Sequence, residues 1–126
     1  MIKKTYNLLF VDDSQNQLVF TEKLLKANFP NIKVNCEKNI YSLFSSRYDI
    51  NDIDILVLDF YFIGFELKDD KSIIEMLEKY RGNLIIFSSC TKKYIDKYIK
   101  LEFTYISKSN PQKLIDEVNK FLVRKI

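Results

Sequence analysis

The sequence predicts an α/β protein built around one doubly wound, parallel β-sheet. Apolar runs of strand length alternate along the chain with segments of helical period, which is the pattern of βα units. Two of the runs, residues 8–11 and 55–58, are continuously apolar, as in strands that are covered on both faces. These two strands should therefore lie at the centre of the sheet.

The alternation predicts five strands and five helices. The strands are predicted at residues 6–11, 32–36, 53–58, 84–87 and 103–106. Right-handed crossovers between parallel strands then place helices on both faces of the sheet. No repeat, low-complexity tract or linker divides the 126 residues, so we expect one domain over 1–126 with no separate output domain.

Capping residues and periodicity locate the helices. Ser14 begins a helix that should run to about Asn28, and a short second helix is predicted at residues 39–46. Asp70 is the predicted cap of the third helix and Asn110 that of the fifth. Four of the helices are each predicted to bury one face. These faces are Phe20, Leu24 and Ala27 in the first helix; Ile73, Leu77 and Tyr80 in the third; Tyr94, Ile95, Tyr98 and Ile99 in the fourth; and Leu114, Ile115, Val118, Phe121 and Leu122 in the fifth.

Composition excludes several kinds of chemistry. The chain has no histidine, which rules out serine–histidine catalysis and zinc sites that need histidine. Its two glycines are too few for a glycine-rich phosphate loop. The net charge is only +3 and the basic residues are scattered, so we expect no nucleic-acid partner. The N-terminal apolar run is too short to span a membrane, and a cytoplasmic protein is predicted.

Charged and hydroxyl side chains follow four of the predicted strands. Asp12 and Asp13 follow the first, Asp59 the third, Ser88 the fourth and Lys108 the fifth. Ligands of a doubly wound sheet bind beyond the carboxyl ends of its strands, so these groups should meet on one rim.

Such a set of carboxylates needs a cation. Two carboxylates about 4 Å apart repel each other by roughly 4 kcal/mol at an effective dielectric constant of about 20. Oxygen ligands with open positions suit Mg²⁺, which shares phosphate oxygens. With Asp59 as nucleophile, and Lys108 and Ser88 contacting the phosphoryl oxygens, the pattern predicts a phosphoryl-acceptor site.

Each of these residues also has a purely structural interpretation. Asp12 and Asp13 would serve as a helix cap, Asp59 as a turn residue and Lys108 as a solvated charge. Their coincidence at successive strand ends favours the functional interpretation.

Four segments resemble the receiver domain of two-component response regulators, and the resemblance covers essentially the whole chain. They are, in order, NLLFVDDS, IDILVLDF, LIIFSS and FTYISK. The resemblance implies a flavodoxin-like sheet with strand order 2-1-3-4-5 and five flanking helices. It also implies that Asp59 accepts a phosphoryl group from a sensor histidine kinase or a histidine phosphotransfer protein.

The resemblance implies a role for each matching residue. Asp12 and Asp13, with Asp59 and the backbone carbonyl of Tyr61, would hold Mg²⁺. Ser88 and Lys108 would contact the phosphoryl group, and Ser88 and Tyr105 would form the conformational switch. The protein would catalyse only its own phosphorylation and dephosphorylation, would act as a monomer or weak phosphorylation-dependent dimer, and would signal by docking to a downstream protein.

Two other functions stay open. One is a protein-interaction module on the same fold that needs no phosphorylation. The other is a phosphatase of the haloacid dehalogenase type, which would need an acid where Tyr61 stands.

The segment after Asp59 departs from the family pattern and leads to two further expectations. Tyr61, Phe62, Ile63 and Phe65 form an apolar cluster that either marks a partner surface or folds back into the core. Tyr61 is bulky and Cys90 cannot orient a water molecule, so slow loss of phosphate is predicted.

Overall fold

The computed structural model describes residues 5–62 and 65–124. The main sheet consists of five parallel strands: β1 (Asn7–Val11), β2 (Lys33–Glu37), β3 (Ile55–Leu58), β6 (Asn83–Ser88) and β7 (Thr104–Ser107). Their order across the sheet is β2-β1-β3-β6-β7. A separate antiparallel ribbon pairs β4 (Tyr61–Phe62) with β5 (Phe65–Glu66). With the ribbon set aside, the order of the main strands is the predicted 2-1-3-4-5, so the fold prediction is confirmed.

Four α-helices flank the sheet in the described residues: α1 (Gln15–Asn28), α2 (Lys71–Lys79), α3 (Lys92–Tyr98) and α4 (Pro111–Arg124). The predicted caps are present on the first two, because the side chain of Ser14 accepts from the amide of Gln17 and that of Asp70 from Ser72 and Ile73. These side chains satisfy amides that have no partner within the helix.

The short second helix predicted at residues 39–46 is present, but its form is not α-helical. This segment is a 3₁₀ helix, Ile40–Phe44, which Asn39 caps. The hydroxyl of Ser42 donates to the carbonyl of Asn39, and that of Ser45 donates to the carbonyl of Ser42. Such local side-chain bonds compete with the α-helical ladder and favour the tighter turn.

Two apolar layers cover the sheet. Leu18 of α1 and Leu114 of α4 pack on one face with Phe10. The 3₁₀ helix, α2 and α3 cover the other face, where Ile73 and Ile95 pack against Leu58. The central position predicted for the first and third strands is confirmed, since each pairs with a neighbour on both sides.

The predicted buried faces hold for α4 but not for α1. In α1 the buried residues are Leu18, Thr21 and Leu25, whereas Phe20 is 54% exposed and Ala27 is also exposed. The helix carries apolar residues on two sides, so periodicity alone could not select the side that packs on the sheet. Tyr98, placed on the inner face of α3, is likewise exposed.

The apolar cluster after Asp59 is divided between core and surface. Phe62 is buried and stacks on Phe65 at 5.5 Å, whereas Tyr61 is 48% exposed. Ile63 lies outside the described residues. Within the part of the chain that the structure describes, no helix is long and apolar enough to cross a membrane.

Candidate functional site

The ends of β1 and β3 bring two carboxylates together. The amide of Asp59 donates to the carbonyl of Val11 at 3.3 Å, and the amide of Asp12 donates to that of Glu37 at 3.1 Å. These bonds continue the parallel pairing by one residue on each side of β1. As a result Asp12 and Asp59 lie side by side at the carboxyl edge of the sheet, and both are buried.

Lys108 bridges the two carboxylates. Its Nζ atom lies 2.7 Å from Oδ2 of Asp12 and 2.7 Å from Oδ2 of Asp59. The lysine follows β7, and its amide donates to the carbonyl of Ser88 at the end of β6, which fixes its backbone beside the rim. The interpretation of Lys108 as a solvated charge is therefore wrong.

The charges in this pocket do not balance. Burial raises the pKa of Asp12, although its contacts with Lys108 and the Ser14 amide act in the opposite direction. Burial by itself lowers the pKa of Lys108, but the bonds to Asp12 and Asp59 outweigh it and raise that pKa overall. One ammonium group thus faces two buried carboxylates, a pocket that attracts a further cation.

The Oδ1 atom of each carboxylate accepts hydrogen bonds from the local backbone. Oδ1 of Asp12 accepts from the Ser14 amide at 2.9 Å, and Oδ1 of Asp59 accepts from the Phe60 amide at 2.7 Å and from that of Tyr61 at 3.4 Å. Asp59 thus also makes the turn bonds considered for it, whereas Ser14 and not Asp12 caps α1. In each carboxylate one oxygen accepts from the local backbone and the other faces Lys108.

The predicted magnesium ligands converge only in part. Asp13 is half-buried and lines a cavity of about 360 Å³ with Phe62 and Phe65. Within residues 5–62 and 65–124, no three histidine, cysteine or acidic side chains are arranged to hold a metal ion. Oδ2 of Asp12 is nevertheless buried and makes no hydrogen bond of good geometry, although it contacts Lys108. It is an oxygen that a cation could use.

The two predicted switch residues both contact Cys90. Ser88 is fully buried, and its hydroxyl accepts from the Cys90 amide at 3.1 Å. The hydroxyl of Tyr105, on β7, donates to the Cys90 carbonyl at 2.6 Å. The loop after β6 is therefore held from both sides, by the hydroxyl of Ser88 and by that of Tyr105 on the neighbouring strand.

A tyrosine–glutamate network beside the site was not predicted from the sequence. Hydrogen bonds with Cys90 and Glu66 raise the pKa of the Tyr61 hydroxyl. The hydroxyl of Tyr94 donates to both carboxylate oxygens of Glu66, at 3.0 and 3.1 Å. Glu66 and Tyr94 are 28 residues apart, and no local pattern indicates that they pair.

Several solved structures with the same fold are response regulator receiver domains. The receiver domain of Francisella response regulator 1452 superposes with a TM-score of 0.74 at 20% identity, over 96% of this chain and 99% of that one. The signal receiver domain of a DNA-binding response regulator from Colwellia psychrerythraea 34H gives 0.72 at 18% identity, over 94% and 98%. A response regulator receiver domain protein from Methanospirillum hungatei JF-1 gives 0.68 at 18% identity, over 96% of each chain.

No sequence-family profile and no curated protein sequence matches this chain. At these identities the likeness concerns the three-dimensional fold. The chain therefore has the fold of a response regulator receiver domain, and the chemistry of its site has to be argued from its own residues.

Proposed function

We propose that the chain is the phosphoacceptor of a two-component phosphorelay. Asp59 would receive a phosphoryl group from a sensor histidine kinase or a histidine phosphotransfer protein. The observation that carries the proposal is the bridge from Lys108 to Asp12 and Asp59, at the carboxyl edge of a receiver-type sheet. Ligands of doubly wound sheets bind at this edge.

The transfer needs little covalent chemistry from the protein. A carboxylate oxygen of Asp59 forms a bond to phosphorus as the bond between phosphorus and the donor histidine breaks, and the histidine nitrogen takes the electron pair. The ammonium group of Lys108, already 2.7 Å from Oδ2, compensates the negative charge of the incoming phosphoryl oxygens. The hydroxyl of Ser88 is the proposed donor to a further oxygen.

The donor set at this edge suits Mg²⁺, which is usually bound by one or two carboxylates and keeps several water molecules. The buried Oδ2 of Asp12 makes no hydrogen bond of good geometry beyond its ion pair with Lys108, and Asp13 is the next residue in the chain. Asp59 and the backbone carbonyl of Tyr61 complete the proposed ligands. When bound, the ion would offset the charge that Lys108 leaves uncompensated.

Phosphorylation would be read out by another protein. In the proposed switch, Ser88 follows the phosphoryl group, and Tyr105 responds because both residues contact Cys90. The partners are then the phosphate donor and a downstream protein in the cytoplasm. A nucleic-acid partner is not proposed, since the basic residues are scattered.

The test is incubation with acetyl phosphate, with and without Mg²⁺, followed by mass spectrometry of the intact protein. The expected result is a phosphate adduct that requires Mg²⁺ and is lost in Asp59→Asn but kept in Asp116→Asn, an exposed acid on α4. An unmodified wild-type chain would favour the interaction module that needs no phosphate. Continuous hydrolysis of a phosphate ester would favour the phosphatase.

A further inference from the structure

Glu66 lies where the β4–β5 ribbon, the segment after Asp59 and helix α3 come together. It lies directly opposite Tyr61 in the β4–β5 ribbon, and Tyr61 is two residues beyond Asp59. The ribbon is tied to the end of β3 because the amide of Leu67 donates to the carbonyl of Phe60 at 2.7 Å. Any shift of the chain next to Asp59 therefore moves the ribbon that carries Glu66.

The carboxylate of Glu66 is surrounded by donors. Tyr94 donates to both of its oxygens, Nζ of Lys68 lies 3.4 Å from Oε1, and the proximity of Glu66 helps to raise the pKa of the Tyr61 hydroxyl. Its side chain is only 18% exposed. Hydrogen bonds to an ionised carboxylate are shorter and stronger than neutral ones, particularly where water is partly excluded.

Aromatic packing strengthens the same connection. The ring of Phe60, which follows Asp59 and is fully buried, makes edge contacts with Tyr61 at 5.8 Å and with Tyr94 at 5.7 Å. Tyr94 belongs to α3, so hydrogen bonds and ring contacts both join the segment after Asp59 to that helix. Cys90, on the loop that leads into α3, also raises the pKa of the Tyr61 hydroxyl.

We propose that Glu66 is a positioning residue that joins Tyr61, beside the acceptor carboxylate, to Tyr94 of helix α3. Displacements of the segment next to Asp59 are thereby transmitted to α3 through this carboxylate, in addition to the ring contacts of Phe60. The connection is a property of the unmodified protein, and its value in signalling rests on the proposed phosphorylation of Asp59.

The test compares amide hydrogen exchange of α3 in the wild-type chain, Tyr61→Phe, Glu66→Gln and the double variant, all without phosphate. Each single variant should exchange about three- to tenfold faster in α3, as expected for the loss of one hydrogen bond. The double variant should exchange no faster than Glu66→Gln, because both changes break the same connection.

Two controls separate this connection from general stability. Exchange in α4 should stay unchanged in every variant, and Glu75→Gln, an exposed glutamate on α2, should leave α3 unaffected. If Glu66→Gln destabilises the whole fold, Tyr94→Phe is used in its place to break the same connection. Adding Tyr61→Phe to Tyr94→Phe should then cause no further increase in the exchange of α3.

The proposal is overturned if Tyr61→Phe leaves exchange in α3 unchanged, or if the effects of Tyr61→Phe and Glu66→Gln add. A chain that accepts no phosphate would contradict the proposed function without altering these exchange rates. The two failures are therefore distinguishable.

Discussion

At the scale of single residues, the site consists of two buried carboxylates that share the ammonium group of Lys108. Each carboxylate uses one oxygen for a backbone amide and turns the other toward the lysine. An ordinary turn or cap would leave that second oxygen in solvent. The burial of Asp12 and Asp59 therefore distinguishes this edge from a structural turn.

Asp12→Asn should change how stability depends on pH. The pKa of Asp12 is raised in the folded chain, mainly by burial, so the folded state binds more protons than the unfolded state between the two pKa values. Stability of the wild type should fall, relative to the variant, as pH rises from about 3.9 through the folded pKa. Urea unfolding across this range measures the difference. Parallel curves for the two proteins would contradict the expectation.

Lys108→Met should destabilise the fold. Removing one partner of a buried ion pair costs about 3–5 kcal/mol. The lysine side chain is 16% exposed, so we expect about 2–3 kcal/mol at neutral pH, measured by urea unfolding. Because the pKa of Lys108 is raised, its contribution should persist below the unfolded pKa of about 10.4 and disappear as pH rises through the folded value.

The matched control is Lys113→Met, an exposed lysine on α4. It should change the unfolding free energy by less than about 0.5 kcal/mol. Equal effects of the two substitutions would show that the bridge contributes nothing to stability.

At the scale of elements, short connections hold the strands and helices in register. Tyr80 follows α2 as its C-cap, and its hydroxyl donates to the carbonyl of Ile53 at 2.8 Å. The phenol ring lies directly against Gly82. A Cβ atom at Gly82 would overlap the Tyr80 phenol and lie 2.8 Å from the Asp54 carbonyl. The glycine is therefore required by close packing.

Gly82→Ala should lower the free energy of unfolding by about 1–3 kcal/mol, the usual cost of overpacking. Urea unfolding measures it. In a Tyr80→Leu background the cost should shrink, because part of the clash is with the phenol. Additive effects of the two substitutions would contradict this explanation.

Phe62→Ser should destabilise far more than Phe20→Ser. Phe62 is 7% exposed and packs in the core, whereas Phe20 is 54% exposed. Removing a buried phenylalanine costs about 3–5 kcal/mol, and an exposed one less than about 0.5 kcal/mol. Equal denaturation midpoints for the two variants would indicate that Phe62 lies on an open surface.

At the scale of the whole molecule, the edge of the sheet that carries Asp59 is partly closed by neighbouring loops. Cys90, after β6, raises the pKa of the hydroxyl of Tyr61, which follows β3, and the hydroxyl of Tyr105 on β7 donates to the carbonyl of Cys90. Neither Tyr61 nor Cys90 can activate a water molecule as a carboxylate would. A phosphorylated Asp59 should therefore keep its phosphate for a long time.

A chain carrying Tyr61→Asn and Cys90→Glu together should lose phosphate at least about tenfold faster, because the glutamate can orient water and the smaller residue admits it. Loss of the phosphate adduct is timed after removal of the phosphate donor. Tyr98→Asn, at an exposed tyrosine on α3, is the control. Unchanged or slower decay in the double variant would contradict the proposed role of these side chains.

Much of the fold follows from local properties of the sequence. Strand length, apolar content and caps predicted the alternation of elements, and topology then placed Asp12, Asp59 and Lys108 at one edge. These features depend on neighbouring residues and on the general geometry of parallel sheets, so they can be derived without knowing any distant contact.

Tertiary structure alone decided the rest. The buried side of α1 was predicted wrongly, and the 3₁₀ form of residues 40–44 and the pairing of Glu66 with Tyr94 were not predicted. The side of α1 and the Glu66–Tyr94 pair depend on which side chains meet across the fold, and the 3₁₀ form depends on a close balance between two helical forms. Hydrophobic periodicity specifies none of these features, because it reports only how apolar residues are spaced along one segment.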